Sequence, residues 1–161
     1  MTTIAVTTTH IAADGLQVWN HEIRSRAHRK IRVANSVNGQ TIFALTGSAP
    51  YFGPIIEWHQ SGADPTKAPK CSDDETWTIL VIDHSGMWKM SCLSPHPEQF
   101  FAPLGLGAGG EMATGAMLAG AGAEAAVRLV AGQTNHTGGD IQVVNIADAI
   151  GRAPPLAEAA E

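Results

Sequence analysis

The chain predicts β-structure from its first residues onward. Residues 2–9 alternate and are rich in threonine, isoleucine and valine, which is typical of a strand. Residues 10–13 predict a second short strand that ends at the turn Asp14-Gly15. The two strands form an antiparallel hairpin, so we expect the first residues to be tied into a sheet, although most chain termini fray. This placement of the first residues in a sheet constrains the fold more than any other feature of the sequence.

The remaining pattern separates strands from helices along the chain. Residues 16–29 and 62–75 have no regular pattern, and Asn38-Gly39 predicts a hairpin turn. Strands are predicted over 30–33, 41–45, 76–83, 87–93 and 141–146, and helices over 49–60, 110–119 and 123–132. Segregated blocks of this kind indicate an α+β fold with helices packed on antiparallel sheets.

Length and charge exclude several classes of protein. The 161 residues suit one domain with a real core, and the net charge of −5 comes with no basic block for nucleic acid. No apolar run approaches the ~20 residues of a membrane helix. The first residues lack the charged and apolar regions of a signal peptide. We therefore expect a cytoplasmic protein with no nucleic-acid partner and no membrane partner.

The cysteines and histidines do not predict a metal site. Cys71 and Cys92 are spaced neither as a metal knuckle nor as a redox pair, so we expect isolated reduced thiols. His96 lies near Cys92, but a zinc site needs three or four converging ligands. The sequence therefore predicts no metal and no cofactor.

Five short segments, in this order and spacing, resemble the proteasome β-subunit family. They are the start Met1-Thr2-Thr3-Ile4-Ala5-Val6, then Asp14-Gly15, Lys30-Ile31, Thr46-Gly47-Ser48-Ala49 and Gly105-Leu106-Gly107-Ala108-Gly109-Gly110. Within this family the chain is most similar to the bacterial HslV-type peptidases and their small stand-alone bacterial relatives. The resemblance spans roughly residues 2–146.

The resemblance implies a fold and an assembly. We expect residues 1–146 to form a single proteasome-β-like domain, a four-layer αββα sandwich of the N-terminal nucleophile hydrolase fold. Residues 147–161, with Pro154-Pro155 and several alanines, are expected to be a loosely ordered C-terminal tail. The expected assembly is a homo-oligomer of stacked rings that takes unfolded polypeptides. An ATPase unfoldase is a further partner that the resemblance allows.

The resemblance also implies a threonine peptidase whose nucleophile is Thr2 after removal of Met1. A threonine hydroxyl needs a base, and an N-terminal threonine has one in its own α-amine, whose pKa is ordinarily ~7.7–8.0. Lys30 matches the family's catalytic lysine, which would lower that pKa, and Asp14 matches the aspartate that holds the lysine. The backbone N–H of Gly47 is the implied oxyanion donor.

Each of these residues also has a purely structural interpretation. Thr2 is a good β-former for an edge strand, and Asp14-Gly15 makes an ordinary turn. Lys30 fits an exposed strand position, and Gly47 fits the approach to a helix. Their joint occurrence at the family's spacing favours the catalytic interpretation.

Two positions depart from the family pattern. Ala108 stands where the family usually has a serine close to the nucleophile, and Thr134 stands where many members have an aspartate. Thr137 keeps a hydroxyl at the third supporting position. The loss of one preorganising hydrogen bond commonly costs roughly 10–100-fold, so we expect slow or selective activity.

Specificity and the competing functions stay open at this stage. By family position, the residues expected to line the primary substrate pocket are Gln17, His28, Arg32, Leu45 and Ala49, and Arg32 would favour acidic side chains. One alternative is the same ring without catalysis, as a structural or binding module. Another is an N-terminal nucleophile amidase that acts on a small molecule, because a fold does not fix its substrate.

Overall fold

The structure is a computed structural model that describes residues 1–151, and it divides into two compact units. The first contains Met1–Arg32 and Ala102–Asn145, and the second contains Val33–Phe101 and residues 146–151. The strands, in chain order, are β1 (Thr3–Val6), β2 (His10–Asp14), β3 (Gln17–Trp19), β4 (Glu22–Ser25), β5 (Ile31–Ser36), β6 (Gly39–Gly47), β7 (Trp77–Asp83), β8 (Gly86–Ser91), β9 (Glu98–Gln99), β10 (Leu104–Gly107) and β11 (Ile141–Asn145).

The helices are few and short. They are α1 (Phe52–Gln60), α2 (Gly110–Leu118), α3 (Ala123–Gln133) and α4 (Ile146–Ile150). None of the helices within residues 1–151 is long and apolar enough to span a membrane. The predicted α+β class is confirmed, whereas the four-layer arrangement stays a prediction.

The first unit is built on an antiparallel four-stranded sheet with the strand order β10-β1-β2-β11. Helices α2 and α3 pack on this sheet, and small side chains allow them to approach it closely. The core between them consists of Ala5, Ala12, Ala113, Met117, Ala123, Ala126, Val127 and Val130. The predicted N-terminal hairpin is confirmed, since Ile4 pairs with Ala13 and Val6 with Ile11. Because β1 lies between two other strands, the start of the chain is fixed inside the sheet.

The second unit contains a five-stranded sheet with the order β5-β6-β7-β8-β9. One side of α1 supplies Phe52, Ile55 and Trp58 to the core of this unit. The sheet supplies the other side chains of the same core, namely Phe43, Leu45, Trp77, Ile79, Val81 and Met90. The strand β5 begins in the first unit at Ile31 and continues into the second.

The structure differs from the sequence prediction at several places. The segment 16–29 contains the hairpin β3–β4, in which Asn20 (φ 48°) and His21 (φ 64°) supply a left-handed turn without a glycine. Helix α1 begins at Phe52 rather than residue 49, after a 3₁₀ turn, so Pro54 falls in the first turn, where its missing N–H needs no partner. The expected tail begins with helix α4, and residues 152–161 lie outside the described residues.

The expectation of two isolated thiols is wrong. Cys71 and Cys92 form a disulfide, with their Cα atoms 5.6 Å apart. The loop before β7 folds back beside the end of β8, where the Cys92 N–H donates to the Trp77 carbonyl (3.2 Å) and the Trp77 indole donates to the Pro69 carbonyl (2.9 Å). The spacing of the two cysteines in the sequence cannot reveal that this loop folds back beside β8. Disulfides persist mainly in oxidising compartments, so the cytoplasmic location stays only a prediction.

We expect the double variant Cys71→Ser/Cys92→Ser to lose stability. The disulfide closes a loop with a sequence separation of 21 residues, and cross-links of this kind contribute about 2–4 kcal/mol. Urea unfolding of the oxidised protein and of the variant measures the difference, and reduced wild-type protein should match the variant. Equal midpoints for oxidised and reduced protein would show that the disulfide has no stabilising role.

Candidate active site

The side chain of Asp14, at the end of β2, is the centre of a buried hydrogen-bond network in the first unit. It is 0% exposed and accepts four hydrogen bonds. Oδ1 accepts from the Thr3 backbone N–H and from the Lys30 ammonium, both over 2.8 Å. Oδ2 accepts from the backbone N–H groups of Leu16 (3.3 Å) and Gly138 (3.2 Å). The carboxylate therefore connects the start of the chain to the segments of Lys30 and Gly138.

Lys30 is buried beside this carboxylate, with 5% of its surface exposed. Its Nζ donates to Asp14 Oδ1 (2.8 Å), to the Leu16 carbonyl (2.8 Å) and to the Met1 carbonyl (3.2 Å). Burial lowers the pKa of Lys30, and the charge and hydrogen bond of Asp14 oppose that change. An ammonium has three protons to donate, so all of them have an acceptor here. The interpretation of Lys30 as an exposed strand residue is therefore wrong.

Thr2 lies next to this ion pair and is 6% exposed. Its carbonyl accepts a hydrogen bond from the Ala108 N–H (2.8 Å), which holds the backbone at the end of β10. Burial lowers the pKa of the Met1 amino group, Lys30 lowers it further, and Asp14 raises it. The carbonyl that Lys30 contacts belongs to the peptide that joins Met1 to Thr2. Removal of Met1 would therefore create the new amino group beside the Lys30 cation.

Thr137 contacts the residue after Thr2 rather than Thr2 itself. The hydroxyls of Thr3 and Thr137 are 2.6 Å apart, and both residues are buried. Gly109 lies against the same hydroxyl, because a Cβ at that position would clash with Thr3 Oγ1 and with Val130. A glycine is therefore required at 109 for Thr3 to occupy its place.

The two departures from the family pattern have different positions. The Ala108 N–H is bonded to the Thr2 carbonyl, but the Ala108 side chain has no hydroxyl, unlike the serine that the family usually has at this position. Thr134 ends helix α3, where its hydroxyl donates to the Val130 carbonyl over 3.1 Å. The hydroxyl of Thr134 therefore bonds to a carbonyl in the last turn of α3.

Three of the expected pocket residues, Gln17, His28 and Arg32, belong to the first unit. The His28 N–H donates to the Gly15 carbonyl over 2.9 Å, which holds this segment beside the turn after β2. Burial lowers the pKa of His28, and the positive charges of Lys30 and Arg32 lower it further. Gln17 is half-buried and Arg32 is exposed. The positive charge of this segment therefore comes from Arg29, Lys30 and Arg32 rather than from His28.

The other expected site residues belong to the second unit. Gly47 ends β6 with φ +105°, and a Cβ there would clash with the Thr76 carbonyl, which also accepts from the Ser48 N–H (3.0 Å). The position therefore requires glycine. Leu45 belongs to the core of this unit, and Ala49 opens the 3₁₀ turn before α1.

Sequence reasoning missed the backbone groups that complete the network around the ion pair. They are the N–H groups of Thr3, Leu16 and Gly138 and the carbonyl of Leu16. The pair Gly138-Gly139 was visible as a turn, but a turn does not reveal what its N–H groups bind. Within residues 1–151, no group of three or more His, Cys, Asp or Glu side chains is placed to hold a metal ion.

Solved structures with the same fold cover 90% of this chain. A eukaryotic HslV from Trypanosoma brucei matches with a TM-score of 0.62 and 14% identity over 99% of its own chain. BPH from Thiobacillus denitrificans in complex with epoxomicin matches with a TM-score of 0.60 and 21% identity over 98% of its chain. A second structure of that BPH matches with a TM-score of 0.59 and 19% identity over 97% of its chain.

The chain has an HslV/proteasome β-type fold. The resemblance inferred from the sequence is thus confirmed for the fold, and the HslV/proteasome β-type fold extends over most of the chain. No protein-family model and no curated protein matches the chain. At identities of 14–21% the solved structures establish the fold alone, so activity must be argued from the residues of this chain.

We expect Asp14→Asn to destabilise the protein strongly. The variant leaves the Lys30 ammonium buried without a counter-charge, and breaking a buried pair in this way costs about 3–5 kcal/mol. The matched control is Glu124→Gln, which removes an exposed pair with Arg128 (2.6 Å) and should cost less than about 1 kcal/mol. Denaturant unfolding measures both free energies, and similar small losses would contradict the structural role of the buried pair.

Proposed function

We propose that the protein is a threonine endopeptidase of the N-terminal nucleophile class, active once Met1 is removed. The observation that supports this best is the contact of Lys30 with both Asp14 and the Met1 carbonyl. These bonds place a buried cation at the peptide whose hydrolysis creates the α-amine of Thr2. While Met1 is attached, the nitrogen of Thr2 is an amide and cannot accept a proton.

The proposed reaction begins with the hydroxyl of Thr2. Its Oγ1 forms a bond to the carbonyl carbon of the scissile peptide, and its proton passes to the α-amine of the same residue. The amine then gives this proton to the leaving nitrogen as the C–N bond breaks, which leaves an ester on Thr2. Water attacks the ester with the α-amine again as base and releases the new carboxylate together with the free hydroxyl.

Lys30 and Asp14 are proposed to tune the base. A cation beside the α-amine disfavours the ammonium form, so more of the amine is neutral near pH 7. The four hydrogen bonds on Asp14 hold the carboxylate in place, and the carboxylate in turn holds Lys30. Gly47 is proposed to supply the oxyanion donor through its N–H, as the family resemblance implies. One such donor is typically worth about 2.7–4 kcal/mol in the transition state.

The solved structures support the proposal through the fold that they share with this chain. One is an HslV, and another is a BPH that holds epoxomicin. Epoxomicin is therefore the first compound to test for binding to this chain, together with a peptide warhead directed at N-terminal threonine. Pocket roles for Gln17, His28, Arg32, Leu45 and Ala49 remain part of the same proposal.

We further propose a homo-oligomer of stacked rings that degrades unfolded polypeptides, with each subunit a four-layer αββα sandwich. Large apolar side chains on α2 and α3 support an assembly, since Met112, Leu118 and Leu129 are 42%, 72% and 49% exposed. Closed rings would confine the active sites and restrict entry to unfolded chains. An ATPase unfoldase is the partner class that this arrangement would use.

Ala108 favours a second candidate, a ring of the same fold with little or no catalysis. The residue bonded to the Thr2 carbonyl has no hydroxyl, so a supporting group of the family is missing. Retention of Met1 in purified protein, together with no labelling by the warhead, would support this scaffold. Turnover of small amides but not of casein-like unfolded chains would instead support an amidase.

We expect Thr2→Ala to abolish peptide hydrolysis while the oligomer and its stability stay unchanged. Intact-mass spectrometry should show wild-type protein without Met1, and the warhead should add its mass to wild type alone. Thr9→Ala, at an exposed threonine of the same hairpin, is the matched control and should keep full activity. Equal hydrolysis by the Thr2 variant and wild type would rule out the proposed nucleophile.

A further inference from the structure

The side chain of Gln142 forms two hydrogen bonds to the backbone of Ile31, the residue that follows Lys30. Its Oε1 accepts from the Ile31 N–H over 3.0 Å, and its Nε2 donates to the Ile31 carbonyl over 2.7 Å. In an extended chain the N–H and C=O of one residue point to the same side, and a primary amide offers one acceptor and one donor side by side. Gln142 therefore binds Ile31 as a neighbouring strand would.

Gln142 reaches this segment because of its place in β11. The preceding residue, Ile141, packs with the core under α2 and α3, so strand alternation directs Gln142 to the opposite face of the sheet. The backbone of β11 pairs with β2, with Gln142 opposite Ala13 and Ile141 opposite Asp14. Two consecutive residues of β11 thus fix both members of the ion pair. Ile141 pairs with the backbone of Asp14, and Gln142 holds the residue next to Lys30.

The bonds of Gln142 hold the backbone at the residue after Lys30, whose own side chain forms the bonds to Asp14, Leu16 and Met1. Lys30 precedes the first residue of β5, so its own backbone lies outside the strand. Three acceptors define the position of its Nζ, and two of them are the Asp14 carboxylate at the end of β2 and the Leu16 carbonyl just after it. A backbone shift at Ile31 would move Nζ relative to these acceptors and relative to the Met1–Thr2 peptide.

We propose that Gln142 is a positioning residue for the peptidase reaction: it holds the backbone at Ile31 so that the Lys30 ammonium lies at the nucleophile. This rests on the proposed function of Thr2 and Lys30. Gln142 touches neither substrate nor the reacting atoms, and it acts entirely through Ile31 and Lys30. Its loss should therefore change the rate of the chemical step more than the binding of peptide.

The test compares Gln142→Met with wild type, both as mature protein without Met1. Methionine has nearly the same length and lacks both hydrogen-bonding groups. We expect kcat to fall about 10-fold, as for the loss of a supporting hydrogen bond, while KM changes by less than about twofold. The low-pH limb of kcat/KM should move to higher pH, because a displaced cation no longer lowers the pKa of the α-amine. Activity is expressed per site that the threonine-directed warhead can label.

A control and a second readout separate positioning from simple loss of structure. Gln133→Met places the same change at an exposed glutamine of the first unit and should leave kcat, KM and the pH profile unchanged. The pKa of Lys30, followed by NMR on lysine-labelled protein, should rise towards its ordinary value in the Gln142 variant as the ammonium leaves its buried position. An unchanged kcat per labelled site, or an unchanged Lys30 titration, would overturn the inference. Absence of labelling and turnover in wild type would instead refute the peptidase proposal, and the Lys30 titration would still decide the role of Gln142.

Discussion

A buried ion pair, Lys30 with Asp14, determines how the start of this chain is arranged. Burying two opposite charges costs several kcal/mol for each ion, and their attraction offsets this only where further hydrogen bonds complete both groups. Here the carboxylate accepts four hydrogen bonds and the ammonium donates three. Within residues 1–151 every buried side-chain nitrogen and oxygen has a partner. A pair satisfied in this way is rigid, and rigidity is what a base on the first residue of the mature chain would require.

The fold supplies the partners of this pair from segments far apart in sequence. Strand β1 lies inside the sheet between β2 and β10, which fixes the backbone of Thr3 beside Asp14. The turn after α3 contributes the Gly138 N–H, and β11 contributes Gln142 to the segment that presents Lys30. Residues from the first and the last segments of the first unit thus bond to the ion pair or to the residue next to it. The sheet of the first unit and its two helices fix the backbone positions of these partners.

Local features of the sequence predicted most of the strands and helices. They could not predict the hydrogen bonds and the disulfide that join segments far apart in the chain. The alternation in residues 2–13 predicted the hairpin β1–β2, and the alanine-rich segments predicted α2 and α3, because periodicity is a local property of the chain. The hairpin β3–β4 was missed because Asn20 and His21 replace the glycine that usually marks such a turn. The disulfide between Cys71 and Cys92 and the bonds from Gln142 to Ile31 depend on tertiary contacts that no spacing encodes. Asp14 and Lys30 were found only because a family pattern already relates them.

The central claim is that Lys30 lowers the pKa of the amino group that Thr2 carries once Met1 is gone. NMR titration of that α-amine in mature protein tests it directly. For the Met1 amino group, burial and the Lys30 cation lower the pKa, and Asp14 raises it by less. We expect the same of the Thr2 amine, which should titrate below the ordinary ~7.7–8.0 and remain neutral to lower pH. Lys30→Met should raise this pKa, whereas Arg29→Met, at the exposed neighbouring cation, should leave it unchanged. An amine that titrates at its ordinary value in wild type and does not respond to Lys30→Met would contradict the account.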